Sequence, residues 1–329
     1  MAIRIGISGW RYAPWRGVFY PHALPQRCEL EYAARLYPSI EINGSFYSLQ
    51  SPSSWQAWHD ATPAHFMFAV KGPRYITHIL RLREFATALA NFYASGVLLL
   101  RDKLGPMLWQ FPPNFRFDRE RFDAFFRQLP RTMEDAVVVA GRHDPDRMRG
   151  RHAWPEAPSP QRLRHAIEIR HPSFATPAFI DLLREHDIGL VVADTAGKWP
   201  LLEDVTSDFV YLRLHGDAEL YVSGYSDGAL DAWAYRIRRW SDGAQPHDAR
   251  TCSTGVPPRM PRDVFCYFDN DVKVHAPFDA HALMRKLGAD VPEHMPDVRK
   301  ARAQLPYEAR TDMPAGLRGR ARNASFGQE

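Results

Sequence analysis

Charged and hydrogen-bonding residues recur at the ends of short apolar runs. Glu41 and Asn43 close SIEIN, Lys71 closes FMFAVK, Gln110 lies in MLWQF, and Glu168 and Arg170 lie in AIEIR. Asp194 ends GLVVAD, Arg213 and His215 lie in FVYLRLHG, and Asp269, Asn270 and Asp271 follow VFCYF. Lys71, Arg170 and Arg213 offer cationic donors suited to a phosphate or a carboxylate, arginine with a fork of parallel N–H groups. Glu41, Glu168, Asp194 and Asp269 are of the type that moves protons, or that holds a divalent metal together with a histidine such as His215. The neighbouring cations would repel such an ion, so a metal is the less favoured use. The expected catalytic groups are Glu41, Glu168, His215 and Asp194. Asn43, Lys71, Gln110, Arg170, Arg213, Asp269 and Asn270 are expected to contact substrate.

Aromatic residues accompany these positions. Trp10, at the end of IRIGISGW, and Tyr225, in the glycine- and serine-containing stretch LYVSGYSDG, are expected as pocket walls, the second on a lid. For Trp15, Phe46, Tyr47 and Trp109 core packing is the ordinary reading. His171, in IRHPSF, is placed among the binding residues. For it and for His78, in YITH, a structural histidine is the plainer alternative. There is no HExxH and no glycine-rich phosphate loop.

To converge, these side chains need a scaffold that brings strand ends together. The eight runs, from IRIGISGW at residue 3 to VFCYFDN at residue 270, alternate with segments of helical apolar spacing. Phe122, Phe125, Phe126 and Leu129 follow Asp118, a suitable N-cap. Phe179, Leu182 and Leu183 follow Thr176-Pro177, and Leu230, Trp233, Ala234 and Ile237 precede the eighth run. Eight strands, each followed by a helix or helix-like crossover, predict a single (β/α)8 TIM-type barrel, with a doubly wound open sheet as the rival. In a barrel every strand's C-terminal end opens on one rim. Alternation along a strand puts Glu41 with Asn43, Glu168 with Arg170, and Arg213 with His215 on common faces. Ala136 to Ala140 fits either an extra strand or a helix, with the helix slightly ahead because Glu134 and Asp135 suit its first turn.

Two stretches break the rhythm and are expected as long surface loops: 141–164, with six arginines, and the proline-rich 243–262. The barrel is assigned to 1–296. The basic tail, 297–329, is expected to be disordered. The whole chain has 329 residues, 45% hydrophobic and 24% charged, which excludes a mainly disordered or disulfide-built protein. A net charge of +4 favours anionic partners only mildly. Cys28, Cys252 and Cys266 have no metal-ligand spacing and are expected as free thiols. With no signal-peptide pattern and no apolar run of membrane-spanning length, a cytoplasmic protein without a membrane partner is expected. Nothing in the sequence sets the oligomeric state.

Seven ordered motifs carry a family resemblance: GISGW (6–10), EINGSFY (41–47), FAVKGPRYITH (68–78), WQFPPNF (109–115), EIRHPSF (168–174), YLRLHG (211–216) and YFDND (267–271). Over residues 3–287 the chain resembles domain of unknown function 72, also called YecE-like. The resemblance implies a TIM-type barrel and supplies no reaction. Two positions depart from the family pattern: Phe174 stands for a frequent Trp, and Asp269 for a frequent Asn. Three functions stay open on the residues. The first is acid–base chemistry on a small phosphorylated or carboxylated substrate. The second is metal-dependent phosphodiester hydrolysis, with nucleic acid engaged by the basic loop and tail. The third is non-catalytic ligand binding.

Overall fold

The computed structural model describes residues 1–255, 258–289 and 291. Its strands are β1 (Ile3–Ser8), β2 (Ser39–Ile42), β3 (Met67–Lys71), β4 (Leu104–Gln110), β5 (His165–Glu168), β6 (Gly189–Asp194), β7 (Phe209–Leu214) and β8 (Asp263–Phe268). Each pairs in parallel with the next, and β8 returns to β1 with Ile7 opposite Phe268, so the sheet closes in chain order. Closure decides against the open doubly wound sheet. The tail 297–329 lies outside the described residues.

Alternation sorts the strand residues into two layers. Ala69, Leu108, Ala166, Val191, Ala193, Phe209, Tyr211, Phe265 and Tyr267 pack against one another inside the barrel. Strand residues of the opposite parity, among them Ile40, Phe68, Trp109, Ile167, Leu212 and Phe268, face the helices and form the larger core. At Gly6 the chains come close: a β-carbon there would collide with the Ser39 carbonyl oxygen of the neighbouring strand. Extending the inner parity toward the C-terminal rim predicts that Ser8, Glu41, Lys71, Gln110, Glu168, Arg213 and Asp269 meet in one layer.

The surrounding helices are α1 (Glu29–Leu36), α2 (Gly44–Tyr47), α3 (Pro52–Asp60), α4 (Ala86–Ala94), α5 (Arg119–Gln128), α6 (Met133–Ala140), α7 (Pro177–Glu185), α8 (Asp227–Ser241) and α9 (Ala276–Lys286). Local capping chemistry fixes several starts. Asp118 accepts from the Arg121 N–H at 3.1 Å ahead of α5, and Thr176 accepts from Phe179 ahead of α7. The segment containing Ala136 to Ala140 is helical because Thr132 and Asp135 form a reciprocal capping box at its start, which contributes about 1 kcal/mol.

One element departs from the expected rhythm. Residues 195–208, between β6 and β7, form no helix. The proline-rich excursion occupies that flank instead: Asp204 accepts from the N–H groups of Cys252 and Ser253, and Glu203 accepts from Arg250 N–H. A segment read as a free surface loop is thereby tied to the barrel wall. The basic excursion 141–164 is also partly committed. Arg164 bridges Asp208 and Asp263 at the N-terminal end of the barrel, Arg162 pairs with Asp187 and Asp208, and Arg149 pairs with Asp146. The three cysteines are free. Among the described residues no helix is long and apolar enough to cross a membrane.

Candidate active site at the barrel mouth

Arg213 is the hub of the inner polar layer. It is fully buried, and its guanidinium spends its N–H groups on residues from four strands or strand ends. Nε donates to Glu41 Oε2 at 3.1 Å and Nη1 to Glu168 Oε2 at 2.8 Å. Nη2 reaches Glu41 Oε1 at 2.9 Å, Asp269 Oδ2 at 2.7 Å and Ser8 Oγ at 3.2 Å. The strand register prepares this convergence, since Ser8 lies opposite Glu41 and Gln110 opposite Glu168. Each of the three Arg213 nitrogens therefore already serves a carboxylate. The sequence reading made it an anion clamp, whereas the structure makes it the counter-ion of three carboxylates.

Glu41 is equally occupied. It accepts from Tyr211 OH at 2.6 Å and from Ser8 Oγ, while Asn43 Nδ2 donates to Ser8 Oγ at 2.8 Å. Glu168 accepts from Gln110 Nε2 at 2.8 Å and from Arg170 Nε at 3.1 Å. Burial alone would raise its pKa, but Arg213, Arg170, His215 and Lys71 outweigh burial and hold the carboxyl well below the ordinary range. Glu168 is thus a fixed anion rather than a proton donor at neutral pH.

Nearer the opening, Arg170 lies with its guanidinium carbon 3.9 Å from the centre of the Trp199 ring and donates to Tyr221 OH at 3.1 Å. Lys71 lies 4.2 Å over the Phe46 ring. Among the described residues its ammonium has no hydrogen bond and no ion pair within 4 Å. Burial and the Arg213 charge lower its pKa to about 8, against the opposing pull of Glu168, Glu41 and Asp269. His78 reports the local potential: burial, then Lys71, Arg170 and Arg74, depress it to about 3. Three cations converge on that imidazole.

His215 is fully buried and kept neutral, first by burial and then by Arg213. Its Nδ1 stands 3.0 Å from Asp269 Oδ2, an electrostatic contact at an angle short of a directed hydrogen bond. Among the described residues its Nε2 has no hydrogen-bond partner, and the Tyr221 ring covers the imidazole edge-on, 5.2 Å between centroids. Tyr221 reaches this position from a backbone with φ +64°, in the left-handed region. Asp269 and Asp271 are driven apart. Arg213 and His215 hold Asp269 low, while burial and the Asp269 charge push Asp271 well up.

Several expected site residues lie elsewhere. Asp194 has the outward parity: its carboxylate accepts from Tyr225 OH at 3.0 Å and faces a separate side pocket of about 480 Å³, shared with Thr195, Trp199, Trp233 and Arg236. Tyr225 is consequently an anchor of the β7–α8 loop, not a wall of the central mouth. Trp10 turns away after Gly9 and packs edge-on against Trp58, 5.3 Å between centroids, in the layer between sheet and helices. Asn270 points outward to Ser223 O and Asp279. His171 accepts from the Ser173 N–H and starts a short 3-10 turn. Ser8 and Tyr211 were missed, although each shares the inner parity of a named neighbour. Tyr221 and Trp199 come from irregular loops with no periodic signal.

Comparison with known proteins places this arrangement in a group. The family described as "Protein of unknown function DUF72" matches residues 4–304. The chain belongs to the DUF72 family. UPF0759 protein YunF of Bacillus subtilis (strain 168) is 30% identical over 138 residues, which cover 40% of this chain and 48% of that relative. The match thus spans about half of YunF's length. Two crystal structures of DUF72 proteins share the fold. The one from Thermotoga maritima has a TM-score of 0.65 and 24% identity, covering 88% of this chain and all of that one. The one from Enterococcus faecalis has a TM-score of 0.61 and 18% identity, covering 90% and 100%. The barrel is therefore shared with these two DUF72 proteins.

Proposed function

We propose that the barrel mouth of this DUF72 protein is an acid–base active site for a small anionic substrate. One observation carries the reading: Glu41, Glu168 and Asp269 all converge on Arg213, which draws negative charge to the barrel axis and leaves Lys71, Arg170 and Arg74 around His78 at the outer layer. A carboxylate or phosphate entering there meets a positive field and a stacked, pre-oriented guanidinium. Neutral His215, with Asp269 against one nitrogen and the other unpartnered among the described residues, is the group best placed to accept a proton. Glu41 and Glu168 serve it by fixing Arg213. Tyr221 acts as the cover that must shift for substrate to reach His215.

The metal-dependent alternative finds less support. Among the described residues no three His, Cys, Asp or Glu side chains form a metal-holding group, because Arg213 occupies the centre that the carboxylates share. For nucleic acid, half of the arginines in 141–164 are already committed to acidic partners.

Thermal unfolding in sodium phosphate or pyruvate, against sodium chloride at equal ionic strength, tests the anion site. Both anions are expected to raise Tm, and Arg170→Gln is expected to weaken the apparent affinity about tenfold or more, the effect of losing one charged hydrogen bond. Equal Tm values in all three salts would sink the proposal.

A further inference from the structure

Among the described residues, Lys71 is a cation of the mouth that no carboxylate pairs within 4 Å. The chain contains 36 arginines and only six lysines, so arginine is its ordinary cation. At position 71 it instead places an amine, at the C-terminal end of β3, 7% exposed, on an aromatic face and, among the described residues, without an anionic partner within 4 Å. A lysine used only to bind an anion gains from staying fully protonated. This one is surrounded by groups that work in both directions: Arg213 from β7 and burial disfavour its charge, while Glu168 from β5, Glu41 from β2 and Asp269 after β8 favour it. His78, beyond β3, is uncharged at neutral pH and adds no repulsion. The outcome is an ammonium that loses its proton near pH 8, where an ordinary lysine would not.

We propose that Lys71 is a nucleophilic amine that forms a Schiff base with an aldehyde or ketone carbonyl of the substrate, a small oxo acid or a phosphorylated carbonyl compound. This rests on the anionic-substrate reading above and names the substrate class of the same site. The neutral amine's lone pair forms the N–C bond, and the carbonyl π pair moves to oxygen, which takes a proton. Nitrogen gives up one proton, and protonated hydroxyl leaves as water while the nitrogen pair forms the C=N bond. The net change is amine plus carbonyl plus one proton to iminium plus water. Arg170, stacked on Trp199, holds the substrate's anionic group. Neutral His215 is the base for a proton on the carbon next to the iminium, where the cation makes that proton acidic.

The test is reductive trapping. The full-length protein is treated with pyruvate, and separately with glycolaldehyde phosphate, in sodium cyanoborohydride between pH 6 and 9, then digested and mapped by mass spectrometry. Hydride delivered to the iminium carbon leaves a stable secondary amine, heavier by the mass of the carbonyl compound less one oxygen atom. The adduct is expected on Lys71, formed about tenfold faster at pH 8 than on the other lysines, given a free-base fraction roughly 100-fold above that of an ordinary lysine. Lys71→Arg should abolish it, and inorganic phosphate should slow it by competing at Arg170. Because the mapping uses wild-type protein, it stands even if the variant folds poorly. Adducts spread over Lys198, Lys273 and Lys286 with no excess on Lys71 would overturn the Schiff base. If phosphate still stabilised the protein through Arg170 in that case, the anionic site would survive and Lys71 would be a plain cation. If phosphate had no effect either, both readings would fall together.

Discussion

Arg213→Met is expected to cost about 3–5 kcal/mol of stability at pH 7, the size of the penalty for removing one partner of a buried ion cluster. A methionine roughly fills the volume, so the loss is chiefly electrostatic: Glu41 and Asp269 would lose their arginine and Glu168 would keep Arg170 alone. At a few degrees per kcal/mol for a domain of this size, Tm should fall by about 10 °C. The pH dependence gives a sharper signature. In the wild type, Glu168 and Asp269 have folded pKa values below their unfolded ones, so their stabilisation is fully present above about pH 5 and is lost as pH falls through the acid range. In the variant, burial and mutual repulsion push the same groups upward. The unfolded chain then gives up its protons at lower pH than the folded one, and stability should improve on going from pH 7 to pH 5. Urea unfolding at both pH values checks this. A variant as stable as the wild type, or one with the same pH slope, would show that Arg213 is not the counter-ion of the cluster.

The barrel was legible because two periods, 2 for strands and 3.6 for helices, are written directly into the apolar residues. IRIGIS and FVYLRL announce their inner and outer faces, and Asp118 and Thr176 announce their helices. The parity that makes the fold readable also places Glu41, Lys71, Gln110, Glu168, Arg213 and Asp269 in a common layer. What parity could not supply was which groups satisfy one another. Arg213 looked like a ligand for substrate because a single arginine in a strand carries no mark of how many carboxylates will surround it. Most of the misplacements have one cause. Asp194, Asn270 and Trp10 lie at or just beyond strand ends, where one residue decides between the mouth and the outer layer, and Tyr225 lies far along the loop before α8. Tyr221 and Trp199 were invisible for the opposite reason. They enter the site from loops, Tyr221 through a left-handed residue, and loop paths are set by tertiary contacts such as Asp204 with Cys252 and Ser253. The helix missing between β6 and β7 follows from the same contacts.

Glu168→Gln is expected to make the protein less stable and its anion site stronger. The change is isosteric, so the hydrogen bonds from Gln110 and Arg170 have a carbonyl oxygen to reach, but Arg213 and Arg170 both lose a buried counter-charge. A loss of about 3 kcal/mol is expected from that unpairing. The same deletion leaves Lys71 and Arg170 less neutralised. One unit charge roughly 10 Å away in an effective dielectric near 20 is worth about 1–2 kcal/mol, so phosphate or pyruvate should bind about tenfold more tightly. The opposed signs separate two roles that sequence could not. If Glu168 were a group that touches substrate and moves its proton, the variant would keep the wild-type affinity or lose some of it. If Glu168 sets the potential of the mouth, Tm without ligand falls while the stabilisation gained per unit of phosphate rises. Lys71 supplies an independent readout, because Glu168 is the largest of the groups that support its charge. Its pKa should therefore drop below about 8 in the variant, and the pH at which Lys71 becomes reactive toward a carbonyl reagent should drop with it. An unchanged Lys71 profile would mean that the carboxylate's field does not reach the amine, and the electrostatic account of the mouth would have to be abandoned.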